Sequence, residues 1–296
     1  NSFCTLLGGR EAPAMELLRA VDAYQHRFKG GPFTEWLAEN WTIPAVAVAC
    51  YLVMVWQGPK MMAQRPPLNV RVVFTAWNTM LCLFSIVGTY YTVPALYRTA
   101  AARGVHYTVC ERVDSWCADG PAGFWGALFT LSKLPELLDT FFLIVRKKPV
   151  VLLQWYHHVT VLLFCWHATS QLAAPGLYFT CMNFFVHSVM YGYFALMSAS
   201  AATRRLVKPL AIVVTVLQIV QMVVGTVISV YTEYQLEFSG NGCGLDVITG
   251  RSAVIMYASY LVLFALLFRK LYFLPAKGEK RPGHRQGAGH APKRLH

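Results

Sequence analysis

Seven apolar stretches, at about 43–57, 70–97, 122–145, 150–169, 172–198, 206–231 and 252–273, alternate with short polar connectors along the chain. A helix rises 1.5 Å per residue, so about 20 apolar residues cross a hydrocarbon layer. The pattern predicts an all-α, polytopic membrane protein with seven transmembrane helices. The first stretch is short, but Trp41 and Trp56 flank it as interfacial anchors. Pro44, Pro94 and Pro135 fall near ends or mark kinks. Residues 1–42 carry charges throughout and no early apolar core, so they are read as a segment outside the membrane rather than a cleavable signal. Residues 43–273 form the helical domain, and 274–296 form a basic tail expected to be disordered.

Composition supports that reading. Charged residues make up 14% of the chain, against about 25% in soluble domains. The net charge of +12 lies in connectors and the tail, not on one continuous face, which argues against nucleic acid as a partner. Seven crossings put the termini on opposite sides. Of the 26 Lys and Arg residues, 17 fall on the side of the C-terminus and eight on the other, with Lys133 inside a stretch. The positive-inside rule then places the C-terminus in the cytosol and the N-terminus in a lumen or outside. Cys110, Cys117 and Cys243 share the non-cytosolic, oxidising side, which predicts one disulfide from Cys243 to Cys110 or Cys117. Cys50, Cys82, Cys165 and Cys181 read as small buried hydrophobes.

Ionisable groups inside a span are costly and mark functional sites. Lys133, Glu136 and Asp139 step by three in the third stretch. His157, His158 and His167 lie in the fourth, Asn183, His187 and Tyr191 step by four in the fifth, and Gln218 and Gln221 lie in the sixth. Counted from the stretch ends, Asp139, His157 and His187 fall at about 10–16 Å depth, close enough to share a layer. Adjacent His157 and His158 point about 100° apart, so one of them faces the centre. The competing readings are structural: a Lys-Glu-Asp lock between helices, Asn and Gln as interhelical hydrogen bonds, His167 at an interface. The histidines are too few for a di-iron site; a mononuclear zinc site from two His and a carboxylate is the lesser alternative, and no metal is expected. A neutral imidazole can attack a thioester or act as a general base, and basic connectors, with Arg146, Lys147, Lys148, Arg204, Arg205 and Lys208, would hold phosphates. The rival reading is a seven-helix transporter or receptor with an intramembrane His/carboxylate site.

Four motifs, "LSKLPELLDT" (131–140), "QWYHH" (154–158), "NFFVHSVMYGYF" (183–194) and "TVLQIVQ" (215–221), resemble in order and spacing those of the fatty acid elongases of the endoplasmic reticulum. "FTEWLAENW" (33–41) and "WYHH" are most similar to the branch that extends saturated and monounsaturated chains of palmitate length. The resemblance implies six helices in an inverted barrel around an acyl tunnel, with the first helix outside. It implies condensation of an acyl-CoA with malonyl-CoA to a 3-oxoacyl-CoA two carbons longer, with no further cofactor. By that likeness His157 is the acyl acceptor, His187 lies opposite, and His158 supports the site. Lys133, Glu136, Asp139, Asn183, Tyr191, Gln218 and Gln221 line it. Membrane lipid is the implied surrounding; contact with other enzymes of the elongation cycle and homodimerisation are left open. One departure stands out. The family box usually reads H-x-x-H-H, and its first place here is Gln154, which cannot accept an acyl group and is read as a hydrogen-bonding orienter.

Overall fold

The computed structural model describes residues 13–239 and 242–273, and the predicted disordered tail 274–296 lies outside them. Among the described residues the regular structure is helical: α1 (Pro13–Arg27), α2 (Gly30–Glu39), α3 (Thr42–Met62), α4 (Arg71–Arg103), α5 (Val105–Cys110), α6 (Gly120–Ser132), α7 (Leu138–Val145), α8 (Leu152–Ser170), α9 (Gly176–Ala199), α10 (Ala201–Val207), α11 (Ala211–Glu237) and α12 (Val247–Tyr272). The seven predicted stretches correspond to α3, α4, α6–α7, α8, α9, α11 and α12. Among the described residues four runs are long and apolar enough to cross a membrane: α3, α4, Ala201–Glu237 and α12. The other three carry most of the ionisable residues noted above, and the third is split into helices of 13 and 8 residues, each too short to cross alone. The third is broken where Pro135 removes an N–H and crowds the preceding turn. A 3-10 turn (Pro135–Leu137) separates its halves.

Helix pairs close where a glycine permits it. A Cβ at Gly88 of α4 would stand 2.5 Å from the Phe184 ring of α9, and one at Gly225 of α11 would stand 2.2 Å from Tyr257 of α12. Bare backbone at these points lets the helices approach, the usual device where lipid supplies no hydrophobic drive. Arg71 reaches across from α4 to satisfy the last carbonyls of α9, donating to Ser198 O at 2.7 Å and Ala199 O at 2.5 Å. Arg251 of α12 pairs with Glu233 and Glu237 of α11. Helix α3 packs only on one side of the bundle, through Tyr51 and Val55 against Leu137 and Leu162.

Residues 13–39, before the first span, form two helices that hydropathy did not signal. Helices α1 and α2 dock on the bundle: the Trp125 indole donates to Gln25 Oε1 at 2.9 Å, and the Trp166 indole to Leu37 O at 2.8 Å. Asp119, just before α6, accepts from Lys29 Nζ at 2.5 Å and from the Gly30 N–H at 3.0 Å, so its carboxylate caps the start of α2. A disulfide joins Cys110 of α5 to Cys243 in the α11–α12 connector, whereas Cys117 is free and buried. The open choice of partner for Cys243 is thus resolved in favour of Cys110.

Candidate active site

An apolar cavity of about 120 Å³ runs through the bundle. Its walls come from α6, α8, α9, α11 and α12, and Phe33 and Thr34 of α2 close it towards the disulfide side. Helix α4 contributes no lining residue; it buttresses α6 and α9 from behind. On α8 the lining residues His157, Val161, Phe164, Cys165, Ala168 and Thr169 fall on one face, so the cavity follows that helix. The polar groups at its inner end are His157, Asn183, Gln221 and Tyr260.

The adjacent histidines part company here. His157 lines the cavity, and its Nδ1 is buried with no hydrogen-bond partner. His158 turns the other way, buried, with its Nε2 2.8 Å from Gln154 Nε2. An amide N–H₂ only donates, so His158 Nε2 accepts and its proton sits on Nδ1. Gln154 therefore orients His158. It also lies 3.4 Å from Thr140 Oγ1, which is hydrogen-bonded to Tyr51 at 2.8 Å.

A second chain of bonds sets His187. Lys133, 2% exposed, donates from Nζ to Glu136 Oε1 at 2.7 Å, Glu136 Oε2 at 3.0 Å and Asn183 Oδ1 at 3.0 Å. Its ammonium also lies 4.2 Å from the Phe129 ring centre. Because an ammonium has no acceptor, the Asn183 oxygen must face Lys133 and the amide nitrogen must face His187, 3.1 Å away. His187 Nε2 is then an acceptor too. Ser132 completes the carboxylate shell with a 2.8 Å bond to Glu136.

Asp139 stands apart from this pair. Its oxygens accept from the Trp77 indole and the Tyr191 hydroxyl, both at 2.7 Å, tying α7 to α4 and α9. The 3-10 turn after Pro135 interrupts the regular helical step, and Asp139 lies outside the Lys133–Glu136 network. Gln218 donates to Met190 Sδ at 3.2 Å and does not line the cavity. Gln221 does line it, is 6% exposed, and has no hydrogen-bond partner among the described residues. His167 bonds Thr249 at 2.9 Å, away from the site, at the start of α12. Among the described residues no group of three or more His, Cys, Asp or Glu side chains is arranged to hold a metal ion.

Comparison with known proteins finds a match over residues 36–280 to the family described as ELO, GNS1/SUR4 family. The chain belongs to the ELO family. It is 42% identical over 279 residues to fatty acid elongase 3 of Trypanosoma brucei brucei, covering 86% of this chain and 92% of that one. It is 42% identical over 246 residues to very long chain fatty acid elongase 4 of Trypanosoma cruzi, covering 83% and 85%. Very long chain fatty acid elongase 6 of Drosophila melanogaster is 37% identical over 249 residues, covering 83% and 77%.

In this ELO-family chain the six predicted phosphate-holding cations divide into two groups. Lys147 donates to the carbonyls of Ala63 and Arg65 just beyond the end of α3, at 3.1 and 2.9 Å, and Arg204 donates to Met197 O at 2.9 Å. Arg146 stacks 4.2 Å from the Phe74 ring centre. Partial burial, and then the like charge of Arg204, lower the Arg146 guanidinium below its ordinary pKa. Lys148, Arg205 and Lys208 are exposed. Sequence reasoning missed Tyr260. Its ring lies 4.7 Å from the His157 ring, and its hydroxyl bonds Thr160 at 2.5 Å and His157 O at 3.4 Å. The signal available was the Tyr257–Tyr260 spacing on one face of α12, in a run (252–268) without Lys, Arg, Asp, Glu or His to draw attention.

Proposed function

We propose that this ELO-family protein is a fatty acid elongase that condenses a long-chain acyl-CoA with malonyl-CoA to a 3-oxoacyl-CoA, releasing carbon dioxide and CoA. Its family membership and its relatives' names support elongation. One observation supports His157 as the acyl acceptor: it is the histidine of the cluster that lines the cavity, and its Nδ1 has no partner, while His158 and His187 are each held through Nε2. A ring nitrogen of His157 attacks the thioester carbonyl, the C–S bond breaks, and the departing thiolate takes the imidazole proton as CoA leaves. Malonyl-CoA then loses carbon dioxide, and its enolate carbon attacks the acyl carbonyl. The C–N bond breaks, and the departing imidazole nitrogen takes up a proton from solvent, which restores neutral His157. The unpartnered Gln221 amide is suited to donate to the carbonyl oxygen as charge develops there. No further cofactor is needed for this sequence of steps.

The acyl chain occupies the apolar cavity, and CoA lies towards the face bearing Arg146, Lys148, Arg205 and Lys208. The like-charged approach of Arg146 and Arg204 favours an anionic ligand there. We place the protein in the endoplasmic reticulum membrane with that face cytosolic. The disulfide on the opposite face supports this orientation, since such bonds persist in oxidising compartments.

Intact mass after incubation with palmitoyl-CoA alone tests the proposal. A gain of one palmitoyl group, absent in His157→Ala, and carbon dioxide release on adding malonyl-CoA are expected. Carbon dioxide release without prior mass gain would replace the covalent route by direct attack with His157 as base. Absence of carbon dioxide release would end the elongase reading.

A further inference from the structure

The far end of the cavity contains glycines of two kinds. At Gly30 and Gly123 a Cβ would stand 2.5 and 1.8 Å from the Ala118 carbonyl oxygen, so close packing demands bare backbone there. At Gly126 of α6 and Gly176 of α9 a Cβ would meet no atom within 4 Å, although both residues line the cavity. Helix stability does not favour glycine at 126 either, since alanine is the better helix former. The Gly126 carbonyl accepts from Thr130, which bonds Thr169 in the last turn of α8 at 2.8 Å. Thr169 is twelve residues from His157, or about 18 Å along the helix. These two open positions therefore lie at the end remote from the unpartnered imidazole.

We propose that Gly126 and Gly176 set the length of acyl chain the protein accepts. The inference rests on the acyl-cavity reading above and names the residues that bound it. Space beside bare backbone, unused by the protein's own side chains, is space the last methylenes of a fatty acyl tail fill, gaining close contacts on all sides. A methyl group at either position would enter that space without meeting a neighbouring atom within 4 Å, and a longer side chain would fill more of it. An apolar pocket discriminates a single methylene by about tenfold or more in kcat/KM.

The test measures kcat/KM for an even-numbered series from lauroyl-CoA to arachidoyl-CoA with labelled malonyl-CoA, in the wild type, Gly126→Leu and Gly176→Leu. Each leucine should lower the value for the longest chains relative to the shortest by about tenfold or more, with the shortest primers still elongated. The alanine variants should shift the profile in the same direction by a smaller factor, and they give the readout if a leucine variant does not fold. Gly31→Ala, on an exposed position outside the cavity, should leave the profile unchanged. Wild-type length profiles in the folded variants, or an equal loss at every length, would overturn the assignment while leaving the elongase reading intact. A wild type that elongates no primer would remove both.

Discussion

Replacing Lys133 with methionine leaves Glu136 without its cation in a nearly closed interior. The side chains of the pair are 1% and 6% exposed, and Lys133 makes three bonds of 2.7–3.0 Å. After the change the Glu136 carboxyl keeps only Ser132 as a donor and loses its cation. Removing one partner of a buried pair costs about 3–5 kcal/mol. Replacing both by apolar groups costs far less, because no charge is stranded. Lys133→Met should therefore lose about 3 kcal/mol or more, and Lys133→Met/Glu136→Leu should recover much of it. Activity should fall in both, since Asn183 loses the bond that fixes its amide and, through it, the accepting Nε2 of His187. The assay is equilibrium unfolding in one detergent alongside carbon dioxide release from acyl-CoA and malonyl-CoA. A Lys133→Met protein of wild-type stability, or a double variant weaker than the single, would refute the account of the pair. Full turnover in either would refute its link to His187.

Gln154→Leu removes the donor to His158 Nε2 and leaves a buried acceptor unpaired, at about 1–3 kcal/mol; kcat should drop about tenfold or more with KM for acyl-CoA little changed, and a proportional rise in KM would contradict an orienting role. Cys243→Ser opens the bond to Cys110 across 133 residues, costing about 2–5 kcal/mol; unfolding with and without reductant should separate the wild type but not the variant. Asp119 is held below the usual carboxylate range first by Lys29 and then by the Gly30 N–H. Its folded value is depressed, so its stabilisation is complete above the ordinary aspartate value of about 3.9 and is lost as pH falls through the lower folded value. Limited proteolysis of α1 and α2 should rise across that acid window in the wild type, and Asp119→Asn should already be susceptible at neutral pH with little further change.

Hydropathy marked out seven apolar segments because apolar length acts locally, but the three prolines were read alike, and only the structure shows that Pro135 breaks its segment while Pro94 stays inside a continuous helix. The polar residues were assigned to their segments by position alone, whereas the reading of Gln154 as an orienter came from its departure from the family box, and the structure adds its 2.8 Å contact with His158. Other features depend on how each helix is rotated and what faces it. Consecutive histidines point about 100° apart, and only packing decides that His157 meets the cavity while His158 meets Gln154. The same holds for Asp139, diverted to Trp77 and Tyr191, and for Lys147 and Arg204, whose bonds go to backbone carbonyls near helix ends. Helices α1 and α2 escaped notice because a window suited to a membrane span averages over a ten-residue helix. Sequence placed Cys243 with Cys110 or Cys117 on one face; the distance between chain segments chose Cys110. Composition and periodicity are one-dimensional properties, legible before folding. Which side chain reaches an empty space, and where a glycine leaves one, exists only once separate helices stand beside each other.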